Sequence, residues 1–304
     1  MNKVALVAHS KKSLDGGLPE LRLELKRRGH DDLCWLEVQK SKQVPDAVRK
    51  ALRDKPDLLL VWGGDGTVQR TIDTLVRKGV GPVPMAVLPA GTSNLFAHNL
   101  GIPIDLVQAL DVAFAGDRRT IDVGSLNGER FGVMAGVGFD ARMIGDASRS
   151  IKDRLGRAAY VYTGVKNLRR AADRVRIEVD GERWYDGRAS SVLLANVGEL
   201  FGQITLFDEA DPADGHLDIG VLHAESLGEW TRLAGRALTG TVDRSPLLTT
   251  RPARRVDIWL NRRTAYELDG GARGTAKRIK VRVKPHALTV CVPAATSDGA
   301  GGVS

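Results

Sequence analysis

Cysteine is nearly absent. Cys34 and Cys291 are the only two in 304 residues and stand near opposite ends. A disulfide scaffold is excluded, and a reducing compartment, the cytoplasm, is the expectation. Six scattered histidines supply no zinc-ligand spacing. Long apolar runs are missing: Leu58–Trp62 is among the longest, far short of the ~18 residues that would cross a bilayer. The apolar stretch near the N-terminus, Val4–Ala8, is too short for the core of a secretion signal. Aromatic residues make up only 5%, but 42% of the chain is hydrophobic and 27% charged, a balance that can bury a real core in one or two domains. Lys and Arg number 45 against 37 Asp and Glu, a formal excess of +8. That excess favours an anionic partner, whether nucleic acid, nucleotide or acidic membrane, without choosing among them.

The first part of the chain alternates strand and helix patterns. Short buried strands are expected at Lys3–His9, Leu33–Val38, Leu58–Trp62 and Pro84–Leu88. Between and after them come helical patterns: Leu18, Leu21 and Leu25 up to Gly29, then Pro45–Leu52, Val68–Val76 up to Gly79, and Leu106–Phe114. This order implies a doubly wound parallel sheet. The texture changes near Arg119. Strand-like stretches follow at Thr120–Leu126, Arg130–Val137, Val175–Val179, Ala189–Asn196, Leu217–His223, Val256–Leu260, Ile279–Val283 and Leu288–Val292. Turn signals at Asn127-Gly128, Asp180-Gly181 and Asp186-Gly187 separate several of them. The expectation is α/β with two domains: an N-terminal parallel sheet over 1–119 and an antiparallel β-rich domain over 120–293. A disordered Gly/Ser-rich tail over 294–304 follows. Two helical stripes interrupt the second domain, Ile151–Val165 and Leu227–Leu238.

The sharpest chemical signal is Gly63-Gly64-Asp65-Gly66-Thr67, directly after a buried strand and before a helix. Glycines let the backbone approach phosphate oxygens, and the helix start offers unpaired N–H groups and the positive end of its dipole. The loop is neither a Walker A nor a GxGxxG dinucleotide loop. The competing reading is a tight strand–helix turn with a capping aspartate. The next strand ends in Leu88-Pro89-Ala90-Gly91-Thr92-Ser93-Asn94; alone it reads as an ordinary loop with Ser93 or Asn94 as a helix cap. Two such loops on successive strands favour one polyphosphate crevice.

These residues resemble the diacylglycerol kinase catalytic-domain family, which includes bacterial lipid kinases and sphingosine and ceramide kinases. GGDGT is shared with NAD kinases, but the second domain adds Val137-Gly138-Phe139-Asp140-Ala141, Asp211-Pro212-Ala213-Asp214-Gly215-His216-Leu217-Asp218 and Asp269-Gly270. The resemblance implies an NAD kinase-like fold and a lipid kinase that transfers phosphate from ATP to a lipid hydroxyl, with diacylglycerol as acceptor and phosphatidic acid as product. It implies nucleotide contacts at Gly63, Gly64, Asp65, Gly66, Thr67, Val68 and Gln69, at Gly91 and Thr92 in the second loop, and at Ser41. It implies a magnesium site (Mg2+) at Asp211, Asp214 and the carbonyl of His216, where the competing reading is a polar turn closed by Asx-type hydrogen bonds.

One departure stands out. Where many members have Asp-Gly-Glu with the glutamate as proton acceptor, this chain reads Asp269-Gly270-Gly271. Asp65 and Asp269 remain as candidate catalytic carboxylates. An NAD kinase-type enzyme acting on a soluble substrate and a non-catalytic nucleotide- or membrane-binding homologue are the competing functions. Basic residues along 142–176, with Lys152, Arg154, Arg157 and Lys166 off an apolar stripe, read either as a surface for anionic lipid or as the solvated face of a packed helix. Arg251, Arg254, Arg255, Arg262 and Arg263 form a second basic region. The expected partner is therefore a lipid at an anionic membrane surface, met transiently by a cytoplasmic enzyme. No nucleic acid is expected, and paired strands in the second domain leave room for a homodimer.

Overall fold

The computed structural model describes residues 3–79, 83–138, 172–200, 204–239, 241–242 and 244–294. They fall into two compact units. The first takes the chain up to Ile121 together with everything from Leu288, and the second takes Asp122–Ala287.

Four parallel strands build the first unit: β1 (Val4–His9), β2 (Cys34–Val38), β3 (Leu58–Gly63) and β4 (Met85–Pro89), side by side in the order β2-β1-β3-β4. β1, β3 and β4 are buried at every position, as an α/β sheet covered on both faces requires. Helices α1 (Gly17–Arg27), α2 (Val44–Ala51), α3 (Asp65–Lys78), α4 (Leu95–Asn99) and α5 (Leu106–Ala115) connect and follow them. Their ends follow local chemistry. Pro45 sits in the first turn of α2, and α3 closes on Gly79 at φ 55°. Asp105 caps α5 by accepting the Gln108 N–H at 2.8 Å.

The second unit is antiparallel. β5 (Asp117–Leu126) leads into it, followed by β6 (Glu129–Phe131), β7 (Met134–Val137), β8 (Asp173–Val179), β9 (Glu182–Ala189) and β10 (Ser191–Ala195). After the two-residue pair β11 (Glu199–Leu200) and β12 (Ile204–Thr205) come β13 (Leu217–Leu222), α6 (Leu227–Thr239), β14 (Leu248–Ala253), β15 (Arg255–Leu268) and β16 (Gly271–Val292). β14, β13, β10, β7 and β15 lie side by side; β15 also pairs with β8, which pairs with β9, and with the first part of β16. Phe131, Ile177, Leu194, Ile219, Ile258 and Ile279 are among the side chains of its core. Hairpin turns at Asn127-Gly128, Asp180-Gly181 and Asp269-Gly270 have positive φ at both residues, the backbone of type I′ turns.

Several sequence expectations shift. Arg130–Val137 divides into β6 and β7. Asp186-Gly187 is no turn: it lies inside β9, with Asp186 paired to Arg174 and Arg183. The stretches Ile279–Val283 and Leu288–Val292 belong to one 22-residue strand, β16. Its last residues join the first unit and not, as the sequence suggests, the second. Val290 pairs in parallel with Met85, and Val290 and Cys291 are buried, so β4 gains a neighbour where it would have an open edge. The stripe Ile151–Val165, with its basic residues, the segment Phe139–Ala141 and the tail after Ala294 lie outside the described residues. No helix among the described residues is long and apolar enough to cross a membrane.

Candidate functional site

In the first unit the chain order reverses between β1 and β3: β2 lies on one side of β1, β3 and β4 on the other. Open α/β sheets bind ligands at the carboxyl ends of their strands at such a reversal. Ala8 pairs with Trp62 and Gly63 with Pro89, so His9, Gly63 and Pro89 end three adjacent strands at one level. The Gly63–Thr67 loop and the Pro89–Asn94 loop leave this edge together and touch through their backbones. The Ala90 N–H donates to the Gly63 carbonyl at 3.0 Å. A Cβ on Gly91 would stand 2.5 Å from the Gly64 Cα, and one on Gly64 2.9 Å from the Gly91 Cα. Only glycine fits at either position.

Asp65 opens α3, and its side chain reaches across to the second loop. One carboxylate oxygen accepts the Leu95 N–H at 2.6 Å, at the start of α4. Burial pushes its pKa up, against the amides of Leu95, of Asp65 itself, and of Phe96 and Asn94, which pull it down. Asn94, at φ 47°, closes its own loop by accepting the Gly91 N–H at 2.8 Å. α3 begins without a side-chain cap, and its N-terminus stands at this end of the sheet, where a helix start favours an anion. Ser41, in a single 3₁₀ turn after β2, lies over Gly66: its Oγ is 3.7 Å from where a Cβ there would be. Thr67, Val68 and Gln69 are buried; Thr67 packs against Gly63. The Thr67 and Val68 N–H groups both donate to the Gly64 carbonyl, at 2.8 and 3.1 Å. Thr92 is exposed beside Gly91. The sequence-expected nucleotide residues of this unit thus share one end of the sheet.

His9 escapes a motif search because nothing around it in the sequence marks it. Its Nδ1 is buried without a hydrogen-bond partner at the end of β1. Burial, then the charges of Lys12 and Lys11, hold its pKa below the usual histidine value. Trp62 fixes the following loop through Nε1 on the Lys12 carbonyl at 3.3 Å.

The second unit gathers the other candidates. In the turn before β13, Asp211 Oδ1 accepts the Ala213 N–H at 3.0 Å and Asp214 Oδ1 accepts the His216 N–H at 2.8 Å. These are Asx-type bonds, so the turn reading holds, and it leaves the cation reading open. Oxygen donors from two carboxylates and a main-chain carbonyl suit a hard cation that keeps several waters, and the residues present fit magnesium on that chemistry. Burial and the charges of Asp214 and Glu209 push the Asp218 carboxyl up, a sign of concentrated negative potential. Among the described residues no group of three or more His, Cys, Asp or Glu side chains is placed to hold a metal alone, so main-chain and water oxygens would complete the shell.

Asp122, which the sequence did not single out, organises this turn. It is fully buried; its Oδ2 accepts the Gly215 N–H at 2.6 Å and its own N–H donates to the Pro212 carbonyl at 2.6 Å. Its Oδ1 accepts the His286 N–H at 2.7 Å.

Asp269 is committed to structure. Its carboxylate accepts the N–H groups of Gly132, Val133 and Met134, each at 2.9 Å, which ties the β15–β16 turn to the β6–β7 connection. Beside it, the Arg273 guanidinium fills the space over Gly271. It donates to the Gly271 carbonyl at 2.8 Å and to Glu129 at 2.5 Å, and lies 2.5 Å from where a Cβ at 271 would be.

A glycine-aspartate loop at the reversal point of a parallel sheet, joined in one chain to an antiparallel β unit, is the plan shared by NAD kinases and lipid kinases. The family described as the diacylglycerol kinase catalytic domain matches residues 9–126, and the YegS C-terminal NAD kinase beta sandwich-like domain matches 133–292. The chain belongs to this diacylglycerol kinase family. It is 31% identical to the diacylglycerol kinase of Bacillus subtilis over 226 residues, 74% of each chain. It is 30% identical over 301 residues to the Pseudomonas aeruginosa protein named "Probable lipid kinase YegS-like", covering 96% of this chain and 95% of that one. A diacylglycerol kinase crystal structure from Bacillus anthracis superposes with a TM-score of 0.77 at 22% identity, covering 95% of this chain and 96% of that one. An NAD kinase from Archaeoglobus fulgidus in complex with ATP shares the fold more distantly, with a TM-score of 0.53, 12% identity and 95% and 93% coverage.

Proposed function

We propose that this chain is an ATP-dependent lipid kinase that phosphorylates diacylglycerol to phosphatidic acid. The observation that carries the reading is the locked pair of loops at the reversal point, where Gly64 and Gly91 meet backbone to backbone. ATP phosphates would lie on the uncapped amides at the start of α3, with Ser41 and Thr92 at their flanks. The lipid hydroxyl oxygen attacks the γ-phosphorus, the bond to the leaving ADP breaks, and the hydroxyl proton passes to a carboxylate. Our candidate for that proton is Asp65: burial raises its affinity for one, and does so against the backbone N–H groups that hold its carboxylate as others hold that of Asp269. Asp211, Asp214 and the His216 carbonyl would hold magnesium, which when bound supplies positive charge for phosphate chemistry.

The acceptor is tested with radiolabelled ATP and a panel of lipids and NAD. Transfer to diacylglycerol in preference to NAD and other lipids supports the reading, and NAD phosphorylation overturns it. Gly271, under Arg273, is the one feature that favours a second reading, a homologue that binds nucleotide without turnover. Nucleotide binding with no transfer to any acceptor would support that reading.

A further inference from the structure

The excess of basic residues has a concentrated location. In the sheet β9-β8-β15-β16, Val175, Ile177, Val256, Ile258, Ile279 and Val281 face the core. Side chains alternate along a strand, so the residues between them form the outer face. One row across that face runs Asp186, Arg176, Trp259, Arg278, each opposite the next. The guanidinium carbons of Arg176 and Arg278 lie 4.7 and 5.2 Å from the Trp259 ring centroid. The next row runs Arg183, Glu178, Asp257, Lys280, and beyond it Arg255 faces Arg282. Arg174 completes the face next to Arg176 on β8. Arg188 stands opposite Arg174 and Asp180 opposite Arg255, so eight cations (Arg174, Arg176, Arg183, Arg188, Arg255, Arg278, Lys280 and Arg282) stand against four carboxylates (Glu178, Asp180, Asp186 and Asp257). That excess of four is half of the chain's formal excess of eight. Arg174, Arg176, Arg278 and Lys280 are exposed.

We propose that this outer face docks on an anionic phospholipid surface. The inference rests on the lipid kinase reading, which places the acceptor in a bilayer. Four strands spaced by about 4.8 Å make a plate roughly 15 Å wide, a shape for a surface and not for a threaded strand. Apart from Arg188, which pairs with Glu225, the cations that neither Asp257 nor Asp186 pairs with are free to meet lipid phosphates, and basic residues near an acidic surface contribute roughly fivefold in affinity each. Single-stranded nucleic acid is matched less well: it is held by bases stacked on open aromatic rings, and Trp259 carries two guanidinium groups. A second copy of the same face would be repelled by like charge.

Sedimentation of the full chain with phosphatidylcholine vesicles, with and without phosphatidylglycerol, tests the proposal. Wild type is expected on the acidic vesicles only, with binding that weakens as salt rises. Arg255→Gln with Lys280→Gln, both exposed, paired with neither Asp186 nor Asp257 and outside the Trp259 row, is expected to weaken it roughly 25-fold, as two such factors multiply. Lys50→Gln with Arg53→Gln removes the same charge from exposed positions of the first unit and is expected to have little effect. Equal loss in both pairs, no loss in the first, or preference of wild type for an oligonucleotide over acidic vesicles overturns the proposal. Kinase activity on lipid in neutral detergent micelles is read in parallel and should survive in the first pair. A chain that binds acidic vesicles through this face yet phosphorylates no lipid would leave the face standing and remove the kinase reading instead.

Discussion

The carboxylate of Asp65 accepts the backbone N–H of Leu95 at 2.6 Å, across 30 residues of sequence. One side chain therefore fixes both loops at this end of the sheet: it begins α3 and holds the start of α4. Replacing it tests two roles at once. Asp65→Asn keeps an oxygen for Leu95 and removes the proton acceptor, and Asp65→Ala removes both. The asparagine variant is expected to bind ATP near the wild-type level with turnover reduced at least ~100-fold, as for a lost general base. The alanine variant should also lose ~1–3 kcal/mol of stability, the cost of a buried N–H left without its partner. Calorimetric ATP titration, urea unfolding and turnover assays separate these outcomes.

Asp65 also predicts a pH dependence. Burial raises its folded pKa above the ordinary aspartate value of 3.8. Its favourable contribution is therefore complete below pH ~4 and is lost as pH rises through the elevated folded value, because the folded state then holds the proton more tightly than the unfolded chain. Other carboxylates run the opposite way: Asp186, next to Arg183 and Arg174, is held low. The difference in unfolding free energy between wild type and Asp65→Asn isolates the effect and should fall as pH rises from 4. A difference flat across pH contradicts the assignment.

Gly91→Ala is expected to force the two loops apart. Its new Cβ would stand 2.5 Å from the Gly64 Cα and 2.6 Å from Asn94 Oδ1, and backbone cannot rotate away as a side chain can. Overpacking of this kind costs ~1–3 kcal/mol, and the loss should appear as a lower Tm together with weaker ATP binding. Gly79→Ala, with open space around it but φ 55°, should lower Tm without changing nucleotide affinity.

At Asp269 the expectation is structural. Asp269→Asn turns one acceptor oxygen into a donor that faces a backbone N–H, while asparagine still tolerates the φ of 45° at this turn. Stability should drop by ~1–3 kcal/mol, and the turnover of the folded fraction should fall far less than for Asp65→Asn. A stable variant with no turnover would make Asp269 the proton acceptor.

Gly271→Glu, which restores the family's residue, is expected to raise turnover little by itself. The new Cβ meets the Arg273 guanidinium at 2.5 Å, and moving that side chain breaks its pair with Glu129. Combining it with Arg273→Ala opens the space, and any gain in turnover should appear only in the double variant.

The parallel unit was legible in the sequence for a plain physical reason. Strands buried on both faces are written as unbroken apolar runs, such as Leu58–Trp62; α3 and α5 end on glycine and α2 has a proline in its first turn. The loop motif was legible because it stood between a strand and a helix. The second unit was read with its strands cut short. β16 is half exposed and alternates charge with apolar residues, so only its two apolar stretches were visible. β9, with its polar surface residues, gave no signal and held a false turn at Asp186-Gly187. Asp122 and Arg273 were silent because their importance comes from long-range neighbours: Asp122 is 93 residues from Gly215 and Arg273 is 144 from Glu129. No local spacing encodes such pairs.

Phosphate transfer from ATP to a membrane lipid, through the loops that Asp65 joins, is the central proposal for this chain. The direct test incubates radiolabelled ATP with wild type and Asp65→Asn over diacylglycerol in mixed micelles, with magnesium present and NAD as a parallel acceptor. Labelled phosphatidic acid from wild type, its near-complete loss in the variant and no labelled NADP are the expected results. No labelled lipid from a wild-type chain that binds ATP, or equal labelling by both proteins, would contradict the account.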